Sequence, residues 1–330
     1  MQMSDLPLIS VIVPVHNVSE YIVRCAESLM QQTMLSGIEY IFVDDVSTDN
    51  SRLLLENVLS KYPGKDVQIL THEKNMGLPA SRRTGLAVAK GKYIYNCDSD
   101  DWVEPDILEL LYNAASGNDA DIAYCDFYLT FGESERYMEN PDYATADEML
   151  RKGFLGGAAK WNVWNKLFRR ELYDGIQFPV EHFKGGEDMI VIEMMAKAHK
   201  VAYVNKALYH YVKTNAGAIS EGFSQQRLID IRYNADKAIS ALADYTNGNI
   251  DTEIAFFKLN VKLPFIISDS RDKHNVWKKW YPEANKFIMK NHFLPFRTRF
   301  VQWMAWKGQW WYVRMYYRFI AKFVYGVIYR

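Results

Sequence analysis

A chain of 330 residues with 49% apolar and 24% charged residues is long enough for one large globular domain or two modest ones, each with a proper core. A formal net charge of −1 argues against a general nucleic-acid binder. Three cysteines, Cys25, Cys97 and Cys125, sit in apolar stretches without paired spacing, so neither a disulfide framework nor a zinc site is suggested, and the first residues lack the pattern of an export signal, so a reducing cytoplasm is expected.

Leu8 to Val15 is a nearly continuous β-branched run and predicts a strand buried on both faces. Apolar residues three and four apart, from Tyr21 and Ile22 through Cys25, Ala26, Leu29 and Met30, predict a helix, with Asn17 or Ser19 available as N-cap. Strands are then expected at Tyr40 to Val43, Val67 to Leu70, Tyr93 to Cys97 and Ile122 to Tyr124. Helices are expected between them at Asp49 to Leu59, Pro79 to Ala89 and Pro105 to Ala115. This alternation implies an α/β fold, Rossmann-like, with a mostly parallel sheet and helices on both faces.

Ligands of such sheets bind where loops leave the carboxyl ends of the strands. There the chain places Pro14-Val15-His16-Asn17, Asp44-Asp45, Thr71-His72 and Asp98-Ser99-Asp100-Asp101. Carboxylates crowded together repel one another, and a hard divalent cation with its phosphate ligands supplies the compensating charge. Neither a G-x-G-x-x-G after the first strand nor a G-x-x-x-x-G-K-[ST] occurs, so a backbone phosphate cradle is not indicated. A metal ion on carboxylates, holding a diphosphate, is the alternative.

Leu8 to Asn17, Phe42-Val43-Asp44-Asp45-Val46-Ser47-Thr48-Asp49-Asn50-Ser51, Asn75 to Arg82 and Asp98-Ser99-Asp100-Asp101-Trp102 together resemble family 2 glycosyltransferases of the bacterial surface-polysaccharide type. The resemblance weakens towards Ser220 and implies the A-type glycosyltransferase fold and an inverting, metal-dependent sugar transfer. It implies a nucleotide-sugar donor, UDP-linked by family habit, a glycan or lipid-linked hydroxyl as acceptor, and Mn²⁺ or Mg²⁺ as cofactor. By the motifs, Pro14, His16 and Asn17 lie under the nucleotide, Asp45 accepts from the base, and Arg82 faces the diphosphate or donor sugar. Asp98 and Ser99 join the nucleotide-sugar set, while Asp98 and Asp100 hold the metal. Val46 departs from the usual glycine and Arg83 from the usual asparagine.

Gly185-Gly186-Glu187-Asp188 resembles the family's Glu-Asp motif, which makes Asp188 the catalytic base and Glu187 its support. Helical spacing from Met189 to Ala196 would set Asp188 in a first turn, where the helix dipole favours the ionised form. Trp161 to Phe168 resembles a W-N-K segment, and Trp164, with Asp101, is a candidate for the acceptor. His210 is a candidate third metal ligand, and Lys213 and Ser220 candidates for a phosphate-facing loop. Ordinary core packing is the competing expectation for Trp164 and His210.

Aromatics make up 15% of the chain and gather near its C-terminus, where no acidic residue follows Glu283. At about 100° per residue, Lys307, Arg314, Arg318 and Lys322 share one stripe, and Val313, Tyr316, Tyr317, Ile320, Val324 and Val327 another. An amphipathic helix lying on an anionic membrane is expected, placing the enzyme peripherally on the cytoplasmic face of the plasma membrane, with packing against the catalytic domain or a partner subunit as the alternative. The expected organisation is a nucleotide-sugar half at 1–115, an acceptor half at 116–220 and a helical region with the basic aromatic tail at 221–330. A sugar nucleotidyltransferase, and a non-catalytic nucleotide-sugar-binding scaffold in a membrane complex, are the rival readings.

Overall fold

The computed structural model describes residues 6–182, 185–214, 224–243 and 245–320. Ser220 and the tail residues Lys322, Phe323, Val324, Val327 and Arg330 lie outside them. Residues 1–146 with 162–238 form one compact unit, and residues 147–161 with 239–330 form a second. The expected halves, 1–115 and 116–220, both fall largely in the first unit.

The first unit opens with β1 (Ile9–Val15), α1 (Ile22–Met30), β2 (Ile38–Asp44), α2 (Ser51–Leu59), β3 (Asp66–Thr71), α3 (Leu78–Val88) and β4 (Tyr93–Asn96). Strands β3, β2, β1 and β4 lie side by side and parallel. In that order, right-handed crossovers carry α1 and α2 over one face and α3 over the other. The packing agrees with this. Val11 and Val13 of β1, with Tyr40 and Phe42 of β2, join Cys25 and Leu29 of α1 in one core. Ile12 points the other way against α3, where a Cβ on Gly85 would come within 2.6 Å of it. Pro14 has no N–H to give, and it falls beyond the point where the ladder to β4 ends at Ile12 and Asn96.

The rest of the sheet is mixed rather than parallel. After β5 (Trp102–Val103) and α4 (Ile107–Gly117) come β6 (Ile122–Phe131), β7 (Ser134–Met138), α5 (Ala146–Glu148), which leads into the inserted segment of the second unit, and past that segment β8 (Lys166–Arg169). Then follow α6 (Ile190–Lys197), β9 (Val201–Val212) and α7 (Gln225–Ala241). Among the described residues the sheet has nine strands in the order β3-β2-β1-β4-β8-β6-β9-β5, with β7 on β6. Strand β8 enters antiparallel between β4 and β6, and β5 runs antiparallel to β9. This brings β9 beside the carboxylates that follow β4.

The second unit is helical, with a π-helical stretch at Met149–Leu155, α8 (Asp251–Lys262), α9 (Arg271–Lys279), a long 3₁₀ segment at Pro282–Lys290, α10 (Phe296–Trp306) and α11 (Trp310–Phe319). Among the described residues from Phe296 onward the chain therefore forms two helices, and the expected stripe is divided between them. Gly308, at φ 75°, takes the left-handed position that ends α10. Its N–H reaches the Ala305 carbonyl and the Gln309 N–H reaches the Met304 carbonyl, a Schellman turn. Lys307 thus does not share a helix with Arg314 and Arg318. No described helix is long and apolar enough to cross a membrane.

Candidate active site

Arg82, on α3, is the centre of the site. Only 3% exposed, it donates from Nη2 to Asp98 Oδ1 at 2.9 Å and from Nη1 to Asp188 Oδ1. One guanidinium thus joins the carboxylate that ends β4 to one ninety residues later in the chain. Asp188 lies in the 3₁₀ turn Glu187–Met189, entered through Gly186 at φ 75° and leading directly into α6, and its side chain is 28% exposed. It precedes the α-helix instead of occupying its first turn. Asp45 sets the start of α3, accepting from the Met76 N–H at 2.8 Å and the Gly77 N–H at 2.6 Å, with His72 Nδ1 at 2.7 Å.

Burial works against the charge on Arg82, but Asp188, Asp98 and Glu187 outweigh it and hold the guanidinium firmly protonated. Asp98 is pushed up to about 6, by burial first and then by repulsion from Asp188 and Asp100, against the pull of Arg82. Burial, and then the neighbouring Asp188, push Glu187 up to about 7. Glu187 Oε2 and Arg82 Nε are buried with no hydrogen-bond partner among the described residues. Because the folded carboxyl of Glu187 binds its proton more tightly than the unfolded one, stability from this group is full below about 4.5 and is lost as pH rises through about 7. Glu187→Gln is therefore expected to stabilise the protein by on the order of 1 to 3 kcal/mol at pH 8 and to leave it unchanged at pH 4, as read by chemical denaturation. An equal effect at both pH values would assign the change to packing.

Polar groups to which the sequence reading gave no role lie in this part of the fold, and one of them, Tyr209, holds the carboxylates directly. The Tyr209 hydroxyl, from β9, donates to Asp101 Oδ2 at 2.6 Å and accepts from the Asp98 N–H at 3.3 Å. Asn96 Nδ2 donates to the Tyr173 hydroxyl at 3.0 Å. Lys166, of the W-N-K segment, is buried, and its Nζ donates to the Asn162 carbonyl and to Asn165 Oδ1, both at 2.7 Å. Burial brings its ammonium down to about 7, opposed by Cys125 and Asp188. A lysine directly after Trp-Asn was the available signal for it.

Three expected assignments are corrected. Asp101 is fully buried and braces β9, accepting from Tyr209 and from the Val212 N–H at 2.8 Å, so it does not face an acceptor. Trp164 offers no free face, because it stacks on Tyr209 and Tyr211 and meets Phe127 edge-on. His210 has both ring nitrogens engaged by other carboxylates. Its Nδ1 lies 2.7 Å from Glu135, its Nε2 lies 2.8 Å from Glu104, and Trp102 and Tyr128 stack on its ring.

The remaining candidates line the rim. Asn17, at φ 51°, accepts through Oδ1 from the Thr48 N–H at 2.7 Å, and Asn75 Nδ2 lies 2.9 Å from His16 Nε2, so the loops after β1, β2 and β3 are tied together. Asp45 is buried and has three of its four acceptor positions occupied. Ser99 is buried, and Lys213 is exposed at the end of β9 with its Nζ 4.9 Å from the Tyr211 ring. Val46 holds φ 59°, the left-handed conformation that suits the family's glycine and strains a β-branched residue. Val46→Gly is expected to raise stability by about 0.5 to 1 kcal/mol, visible as a thermal midpoint higher by about 2 °C. A lower midpoint would show that the valine side chain packs usefully in the turn.

Asp98 and Asp100 repel one another in a largely buried site, a strain that a cation would relieve. Among the described residues no three His, Cys, Asp or Glu side chains converge as a ready-made metal cage. Two carboxylates nevertheless fit Mg²⁺ or Mn²⁺, which commonly completes its shell with water and substrate phosphates.

The family model for "Glycosyl transferase family 2" matches residues 10–194, more than half the chain. The chain belongs to glycosyl transferase family 2. The match contains Asp45, Arg82, Asp98, Asp100, Glu187 and Asp188. The putative glycosyltransferase EpsH of Bacillus subtilis is 31% identical over 270 residues, covering 78% of this chain and 72% of its own length. Among solved structures, S. aureus TarS 1-349 in complex with UDP-GlcNAc superposes with a TM-score of 0.67 at 20% identity, over 95% of this chain and 91% of that one. The mannosyltransferase PcManGT of Pyrobaculum calidifontis, in complex with GDP-Man and Mn²⁺, gives 0.55 at 15% identity, over 98% and 86%. These likenesses give the A-type fold, and family membership makes the protein a glycosyltransferase.

Proposed function

We propose that this glycosyltransferase moves a sugar from a UDP-linked donor to a hydroxyl of a glycan or lipid-linked acceptor, with inversion, in surface-polysaccharide synthesis. The observation that carries the reading is the convergence of Asp98 and Asp188 on Arg82, which sets a donor-side carboxylate beside a partly exposed one able to act as base. The acceptor oxygen attacks the anomeric carbon, its proton passes to Asp188, and the bond from that carbon to the diphosphate breaks to release UDP. Asp98 and Asp100 would hold a divalent cation, which supplies charge to the departing diphosphate when bound. Asp45 offers its remaining acceptor position to the base, and Lys213 its charge to the phosphates. The UDP preference is supported by the UDP-GlcNAc complex of TarS.

The test is nucleoside diphosphate release from UDP-, GDP- and dTDP-sugars with Mn²⁺ or Mg²⁺, comparing wild type with Asp100→Ala. UDP release that is lost in the variant and on chelation is the expected result. Release from a GDP-sugar alone, or undiminished release by the variant, would overturn the donor or the metal assignment respectively.

A further inference from the structure

Within the second unit, α10 and α11 carry large apolar side chains outward. Phe296 is 60% exposed, Trp306 42%, Trp311 57%, Met315 52% and Phe319 57%. The inward side of α11 is already occupied, with Val313 fully buried and the Trp310 ring 4.7 Å from His274 and 6.0 Å from Trp277. At about 100° per residue, Trp311, Met315 and Phe319 fall within about 80° of one another, and Arg314 and Arg318 lie along one edge of that stripe. On α10, Phe296 stacks on Phe300 and Phe300 on Trp303, while Phe300 meets Tyr312 edge-on and joins the two helices. Lys307 Nζ lies 4.5 Å from the Trp306 ring.

We infer that this helical pair seats the protein on the surface of an anionic lipid bilayer, with Trp311, Met315 and Phe319 entering the headgroup boundary. Charge selects the occupant, because no acidic residue follows Glu283 and Arg297, Lys307, Arg314 and Arg318 accompany the apolar side chains, with Arg318 Nε also 3.5 Å from Asp269 Oδ2 in a solvent-exposed pair. A second copy would set two cationic faces against each other. Tryptophan beside lysine and arginine is the composition of a membrane boundary layer, where rings sit at headgroup depth and cations meet lipid phosphates. The described helices, 11 and 10 residues long, are long enough to lie along a bilayer, and no described helix is long and apolar enough to cross one. The inference does not depend on the reaction proposed above.

The experiment is flotation of the full chain with phosphatidylcholine vesicles, with and without phosphatidylglycerol, with UDP release measured on the same preparations. Wild type is expected to float with the anionic vesicles, less so at high salt. Combining Trp311→Ser, Met315→Ser and Phe319→Ser, all at exposed positions, should weaken binding by at least about tenfold, and Arg314→Gln with Arg318→Gln by about tenfold, with UDP release unchanged. Absence of wild-type flotation, or equal flotation of the variants, overturns the inference whatever the enzyme activity. A dimer in size-exclusion chromatography that the same substitutions dissociate would also overturn it, giving the face to a second copy.

Discussion

Replacing Asp188 with asparagine is expected to lower sugar transfer by about 10²- to 10⁴-fold while leaving donor affinity within about threefold. The substitution keeps the shape of the side chain and an oxygen to accept from Arg82, but it removes the group that can take a proton. Since Asp188 is 28% exposed while its partner Arg82 is almost wholly buried, it can meet an acceptor without the core opening. The check is a transfer assay with saturating acceptor, paired with a direct titration of the donor. If transfer falls by less than about tenfold, the base lies elsewhere, and Glu187, pushed up to about 7 beside it, becomes the first candidate. If donor affinity collapses with the rate, Asp188 belongs to the donor site.

The first half of the fold was legible because its strands and helices carry their own periodicity. The run from Leu8 to Val15 alternates toward α1 and α3, and a strand buried on both faces shows that as unbroken apolar sequence. The second half was less legible for physical reasons. Strand β8 is four residues long, and one of them is a buried lysine held by Asn162 and Asn165, a satisfaction that no local pattern announces. Strand β5 has two residues and exists through its pairing with β9. The carboxylate motifs of the site were legible as motifs, but their pairing through Arg82 was not, since charge partners as far apart as Arg82 and Asp188, 106 residues, leave no periodic trace. Trp164 and His210 stayed open between a site role and core packing for a related reason. An aromatic or a histidine in an apolar run has the same sequence signature whether its face is open or stacked, and here neighbouring strands cover both. The break in the C-terminal helix was available in Gly308, whose left-handed conformation ends α10.

Arg82→Met is expected to destabilise the protein by about 3 to 5 kcal/mol, because it strands two carboxylates, Asp98 and Asp188, in a site built around their shared cation. In thermal unfolding this corresponds to a midpoint lower by about 10 °C. Arg82→Lys keeps the charge but loses the two-pronged geometry, so an intermediate loss is expected. The sign of the pH dependence follows from Asp98, which is pushed up to about 6 with Arg82 present. Removing the guanidinium raises it further, so the deficit should be largest at alkaline pH and shrink as pH falls towards 6, by which point protonation in the variant has removed the unpaired charge. A divalent cation added with UDP should restore part of the stability by supplying positive charge to the same carboxylates. Retained stability combined with lost donor binding would place the guanidinium on the diphosphate, the role the family motif implies. A loss of both would mean that Arg82 assembles the base and the donor-side carboxylate first, and that donor binding depends on that assembly.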